Sequence, residues 1–133
     1  MEKITVTIEV GEKNHSAFIE RLPGCVATGR SISEIKENIK KAVSFHLSHC
    51  EVHEIPKEFK RKYEFCFQIE FESFLKMYKG IFSQTGLARA TGINESLMRQ
   101  YVTGKKKPRL SQVKKMEAGI HKLGQELMSV QYI

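Results

Sequence analysis

The chain has 133 residues, room for one ordinary domain or two small ones, and its apolar (41%) and charged (28%) fractions are those of a globular protein. No run approaches the roughly 18 apolar residues of a membrane span, and Met1-Glu2-Lys3-Ile4 leads straight into a strand pattern without a signal peptide. Cys25, Cys50 and Cys66 are an odd count with no Cys-x-x-Cys pair, which favours reduced thiols in a cytoplasmic protein over a disulfide framework.

The net charge of +7 is unevenly placed. Residues 1–70 carry 11 Lys and Arg against 11 Glu, whereas residues 71–133 carry 11 against 4. A neutral half followed by a basic half predicts two jobs, the second involving a polyanion.

Ile4, Val6, Ile8 and Val10 alternate with Thr5, Thr7 and Glu9, the pattern of a half-buried strand. Gly11 to Asn14 makes a turn, and His15 to Glu20 reads as a second strand. Leu22-Pro23-Gly24 turns the chain again before a short third strand from Cys25 to Thr28, ending at Gly29. Ser31 and Glu34 have the spacing of a capping box, and Ile32, Ile35, Ile39, Val43 and Leu47 place an apolar stripe on the helix that follows. Residues 51–62 form a connection broken at Pro56. Tyr63, Phe65, Phe67, Ile69 and Phe71 then alternate with Glu64, Cys66, Gln68 and Glu70 in the clearest strand pattern of the chain.

A β-β-β-α-β order therefore fills residues 1–71, and an all-α domain is predicted over 72–133, giving an α+β protein. The second domain opens with a helix at about 72–80. Ser83 to Gly92 fits a short helix ended by its glycine, and Asn94 caps another that carries Met98, Tyr101 and Val102 and closes at Gly104 before Pro108. Leu110 to Met128 reads as one long helix with Val113, Met116, Ile120, Leu123, Leu127 and Met128 along one side, weakened by Gly119 and Gly124.

Two short helices joined by a tight glycine turn are a helix-turn-helix pattern, whose second helix enters the DNA major groove. The stretch from Ser83 to Pro108 resembles the lambda-repressor and Cro class, through Gln84, Leu87-Ala88, Thr91-Gly92-Ile93, Ser96, Met98, Gly104 and Lys105 to Pro108. Helical phase assigns Leu87, Ala88, Ile93, Met98 and Tyr101 to packing. Asn94, Glu95, Ser96, Arg99 and Gln100 then form the DNA-facing set. Gln100 suits adenine and Arg99 suits guanine or phosphate, whereas Glu95 departs from the family's more common Gln, a carboxylate that tolerates a cytosine amino group but repels phosphate. Lys105, Lys106 and Lys107 follow where a DNA backbone would pass, with Gln84 as a further phosphate contact.

The first half resembles the N-terminal domain of HicB-type antitoxins, through Thr5 to Glu9, Leu22-Pro23-Gly24 to Gly29 and Glu34 to Leu47. The resemblance implies a partial ribonuclease-H-like fold and a HicA-type ribonuclease toxin as partner. It also implies repression of a shared operon by a dimer or higher homo-oligomer bound to operator DNA. Two alternatives are a free-standing repressor that senses a small ligand and a metal-dependent nuclease. The nuclease is disfavoured because the chain contains no Asp, and Glu9, Glu20 and Glu70 have no spacing that demands a metal site. We expect a binding protein without enzymatic activity, cofactor or metal. His46, His49, Cys50 and His53 would line one helical stripe, a poor geometry for tetrahedral ligands. Cys25, Cys50 and Cys66 read as packing residues.

Overall fold

The alternation of Ile4, Val6 and Ile8 becomes β1 (Glu2–Glu9) in the computed structural model, which describes residues 1–133. These three side chains point to one face and are buried, while the threonines between them face the other way. β2 (His15–Phe18) and β3 (Val26–Gly29) continue antiparallel on one side, with Ile8 opposite Ala17 and Ala17 opposite Ala27. β4 (Tyr63–Ile69) joins the other side parallel to β1, giving the order β3-β2-β1-β4. Its register sets Phe65, Phe67 and Ile69 beside Ile4, Val6 and Ile8.

A parallel neighbour needs a crossover, and α1 (Ile32–Ser48) lies within it. α1 starts where Ser31 Oγ accepts from the Glu34 amide at 3.1 Å. Only that half of the expected capping box forms. Ile35, Ile39 and Val43 are buried under the helix, whereas Ile32 and Leu47 at its ends are half-buried. Each fully buried aliphatic side chain here stabilises by about 1.5–3 kcal/mol relative to exposure. Asn38 Nδ2 donates to the Thr28 carbonyl at 2.8 Å, and Lys36 Nζ sits 5.2 Å from the Phe67 ring centroid, so α1 is held to β3 and to β4.

Several local expectations are corrected. The second strand stops at Phe18, because Ile19 to Leu22 turns with the Leu22 amide donating to the Ile19 carbonyl; both side chains are nevertheless buried. The connection contains two short 3-10 turns, Val52–Glu54 and Lys57–Phe59, and buries Phe59 edge-on to Tyr63 with ring centroids 5.1 Å apart. β4 is an edge strand whose aromatics stay half-buried, and it ends at Ile69, with Phe71 opening the next helix. Cys66, expected as packing, is exposed because it shares the outward face with Glu64 and Gln68. α1 ends at Ser48, so His49 is its C-cap and His53 belongs to a 3-10 turn; the four-residue stripe does not exist on one helix.

Contacts cluster in two units, Met1–Ser73 and Phe74–Ile133, and the division falls within α2 (Phe71–Met77). The second unit contains α3 (Gln84–Thr91), α4 (Glu95–Val102) and α5 (Leu110–Met128). The protein is thus α+β, a four-stranded sheet followed by helices. No helix is long and apolar enough to cross a membrane.

Candidate nucleic-acid interface

α3 begins because Ser83 Oγ accepts from the Gly86 amide at 2.9 Å, and it ends at Gly92 with φ of 72°. A left-handed residue there suits glycine and reverses the chain in three residues, Gly92, Ile93 and Asn94. Asn94 Oδ1 then accepts from the amides of Ser96 (2.9 Å) and Leu97 (3.4 Å), which starts α4. This places Asn94 as a structural cap, with its side-chain oxygen turned to the backbone. α4 closes at Thr103, followed by Gly104 at φ of 77°.

Leu87, Ala88, Ile93, Met98 and Tyr101 are all buried, Met98 completely. Thr91, one of the residues that carry the helix-turn-helix resemblance, is buried with them. Its hydroxyl donates to the Leu87 carbonyl at 2.6 Å and lies 3.4 Å from the Ile93 amide, tying the end of α3 to the turn. α5 crosses α3 at Gly119, where a Cβ would lie 2.5 Å from the Ala90 carbonyl oxygen. The glycine expected to weaken α5 is therefore what permits this close approach.

The outward side of α4 carries Glu95, Ser96, Arg99 and Gln100, all exposed. Gln84 is half-buried at the first position of α3. Glu95 is not a free side chain: Thr85 Oγ1 in the first turn of α3 donates to its Oε1 at 2.8 Å. Lys105, Lys106 and Lys107 are exposed in the segment after α4. Lys106 and Lys107 also line a cleft of about 340 Å³ with Leu97, Tyr101, Arg109 and Gln112. Arg109 was missed by sequence reasoning. It is the N-cap of α5 and makes no side-chain cap; the Gln112 amide donates to the Arg109 carbonyl at 3.0 Å, and the amides of Leu110 and Ser111 lie beside three cations. The signal was a basic residue directly after Pro108 and before a long helix. A helix start with cations around it has the charge and amide donors that suit an anion. The unit as a whole holds 11 Lys and Arg against 3 Glu.

Two further residue sets were weighed in the sequence and disfavoured as sites. Glu9, Glu20 and Glu70 are each exposed, and no group of three or more His, Cys or Glu side chains converges in a way that could hold a metal ion. His46, His49, Cys50 and Glu54 do share a cleft of about 450 Å³ with Cys25 and Phe45. There His49 stacks on Phe45 at 4.4 Å and its Nδ1 lies 2.9 Å from the Phe45 carbonyl. Burial pushes the Cys25 thiol above its ordinary pKa, the reverse of what a reactive thiolate needs.

Over 52 residues the chain is 38% identical to a UPF0150 protein of Helicobacter pylori strain J99, a match that spans 39% of this chain and 72% of that protein. No protein-family model matches the chain. No solved structure matches it either.

Proposed function

The chain belongs to the UPF0150 family, a family associated with HicB-like antitoxins, and from that membership we propose that it is the antitoxin of a type II toxin–antitoxin pair. In this reading the sheet unit binds and neutralises a HicA-type, mRNA-cleaving ribonuclease, and the helical unit represses the shared operon. A match of 52 residues that is 72% of the relative makes the relative about 72 residues long, the size of one unit of this chain. We assign that likeness to the sheet unit, and the helical unit is then the DNA-binding addition.

The observation that carries the DNA-binding part is the two-sidedness of α4. Its inner side is sealed by Met98 and Tyr101, and its outer side presents Glu95, Ser96, Arg99 and Gln100 next to a cationic segment that ends on the open start of α5. A helix so arranged suits the major groove, with the lysines and Arg109 on the flanking phosphates. One such helix reads few base pairs, so useful specificity calls for two copies. We place the dimer contact on the last turn of α5 and the tail beyond it, where Leu127, Met128, Val130, Tyr132 and Ile133 are all more than half exposed.

The test is co-purification of the tagged full-length chain from its native host, with identification of the accompanying proteins. A small basic ribonuclease should be recovered, the chain should suppress its RNA cleavage, and the pair should retard the DNA upstream of their own genes. Recovery of the chain alone, still bound to that DNA, would instead favour the ligand-sensing repressor, with the 450 Å³ cleft of the sheet unit as the candidate pocket to probe.

A further inference from the structure

We propose that Glu95 selects a cytosine at one position of each DNA half-site, by accepting a hydrogen bond from the base's N4 amino group, with Thr85 as the residue that positions it. The proposal rests on the DNA-binding reading of α4 and adds to it the base that the helix start recognises.

Three observations lead there. Glu95 is the first residue of α4 and is exposed, at the end of the helix that leads into the groove. Its carboxylate is held in place: Thr85 Oγ1 donates to Oε1 at 2.8 Å from the neighbouring helix, and Oε2 has no partner. It also pairs with no cation, although the unit carries 11 Lys and Arg, whereas Glu117 lies 3.9 Å from Lys114. An unpaired acid facing a polyanion weakens binding unless it meets a donor.

The major groove offers few donors. Guanine presents O6 and N7, both acceptors, and thymine presents O4 and a methyl group. Adenine presents the N6 amino group beside the N7 acceptor, so a carboxylate that gains one contact there meets a lone pair next to it. Cytosine presents the N4 amino group with an acceptor on one side only, the O6 of its paired guanine, whereas the adenine N6 lies between N7 and the thymine O4. With Oε1 already accepting from Thr85, Oε2 is the oxygen left wholly open to such a donor. Glutamine at this position would reverse the choice, since its amide matches the adenine N6 and N7 edge in a bidentate way.

The experiment selects binding sites from a random duplex library at fixed salt, using the full-length chain and the variants Glu95→Gln and Thr85→Val. Affinities are then measured on duplexes that differ at the affected base pair alone. The wild-type chain should enrich a C·G pair at one position in each half-site. Glu95→Gln should shift that position to A·T and lose on the order of tenfold on the original site. Thr85→Val should keep the cytosine but narrow the preference, an effect on a base ratio that a merely structural role for the hydroxyl would not produce. A wild-type site without cytosine, or a preference that Glu95→Gln leaves unmoved, overturns the proposal while DNA binding stands. A wild-type chain that enriches no duplex overturns the DNA-binding reading, and this proposal with it.

Discussion

Alanine at Gly119 should destabilise the helical unit, and the same substitution at Gly124, five residues along α5, should stabilise it. At Gly119 the new Cβ would lie 2.5 Å from the Ala90 carbonyl oxygen and 2.8 Å from Thr91 Cα, both backbone atoms that no rotamer change can move. Relief requires α3 and α5 to separate by about 1 Å, and a gap of that size forfeits a quarter to a half of the dispersion energy across it. The fully buried Met116, one turn earlier, would lose contacts in the same movement. Overpacking of this kind costs about 1–3 kcal/mol, and the added strain around Met116 sets the total toward the upper end. Alanine's better helix propensity returns about 1 kcal/mol, leaving a net loss of about 1–2 kcal/mol. At Gly124 nothing lies within 4 Å of the added methyl group, so only the propensity gain of about 1 kcal/mol remains. The unit has 60 residues, a size at which 1 kcal/mol moves Tm by roughly 4–8 °C. Thermal unfolding followed by far-ultraviolet circular dichroism, at one fixed protein concentration, should show the two variants on opposite sides of wild type. A Gly119→Ala protein as stabilised as Gly124→Ala would refute the close approach of α3 and α5.

Asn94→Ala should cost about 1 kcal/mol in urea unfolding through loss of the α4 cap, and an unchanged midpoint would remove that role. Changing Lys105 and Lys106 to Ala should weaken binding to all duplexes alike and reduce the slope of log affinity against log salt by about 1 for each lost phosphate contact; an unchanged slope would return these lysines to solvent. An alkylating reagent at neutral pH should modify Cys66 before Cys25, which is buried and has its thiol pKa pushed up, as peptide mass mapping over time would reveal. Removing residues 129–133 should weaken self-association and every operator equally, and sedimentation that shows an unaltered oligomer would move the dimer contact elsewhere.

The packing side of α3 and α4 was legible because short-range rules agree there. Leu87, Ala88, Ile93, Met98 and Tyr101 recur with helical phase, and Gly92, Asn94 and Gly104 punctuate the helices with residue types whose conformational reasons are local. Cys66 was also readable from alternation, since it sits between the inward Phe65 and Phe67, but its type suggested burial and the pattern was overruled. Other features depend on residues distant in sequence. A glycine inside a helix reads as a weakness until the neighbouring helix is known, and only then does Gly119 become a requirement. The apolar side of α5 could not be divided by pattern into the turn that packs, at Met116, and the turn that stays exposed, at Leu127 and Met128. The end of α1 at Ser48 has no glycine or proline to announce it, which is why the histidines seemed to share one helix.

The Thr85–Glu95 hydrogen bond belongs with those distant features and gives the unit's charge a division of labour. In the proposed DNA-binding role, the exposed lysines after α4 would attract every duplex and raise non-specific binding as much as specific binding. A carboxylate in the groove does the opposite, because it is repelled by phosphate everywhere and compensated only where an amino group meets it. What a repressor needs is the ratio of the two affinities, since the genome offers a vast excess of wrong sites. One acid positioned by Thr85 among many cations would then lower the wrong affinity more than the right one. On this account the departure from charge complementarity at Glu95 is a specificity device, and neutralising it as Gln should raise affinity for random DNA even as it loses the cytosine.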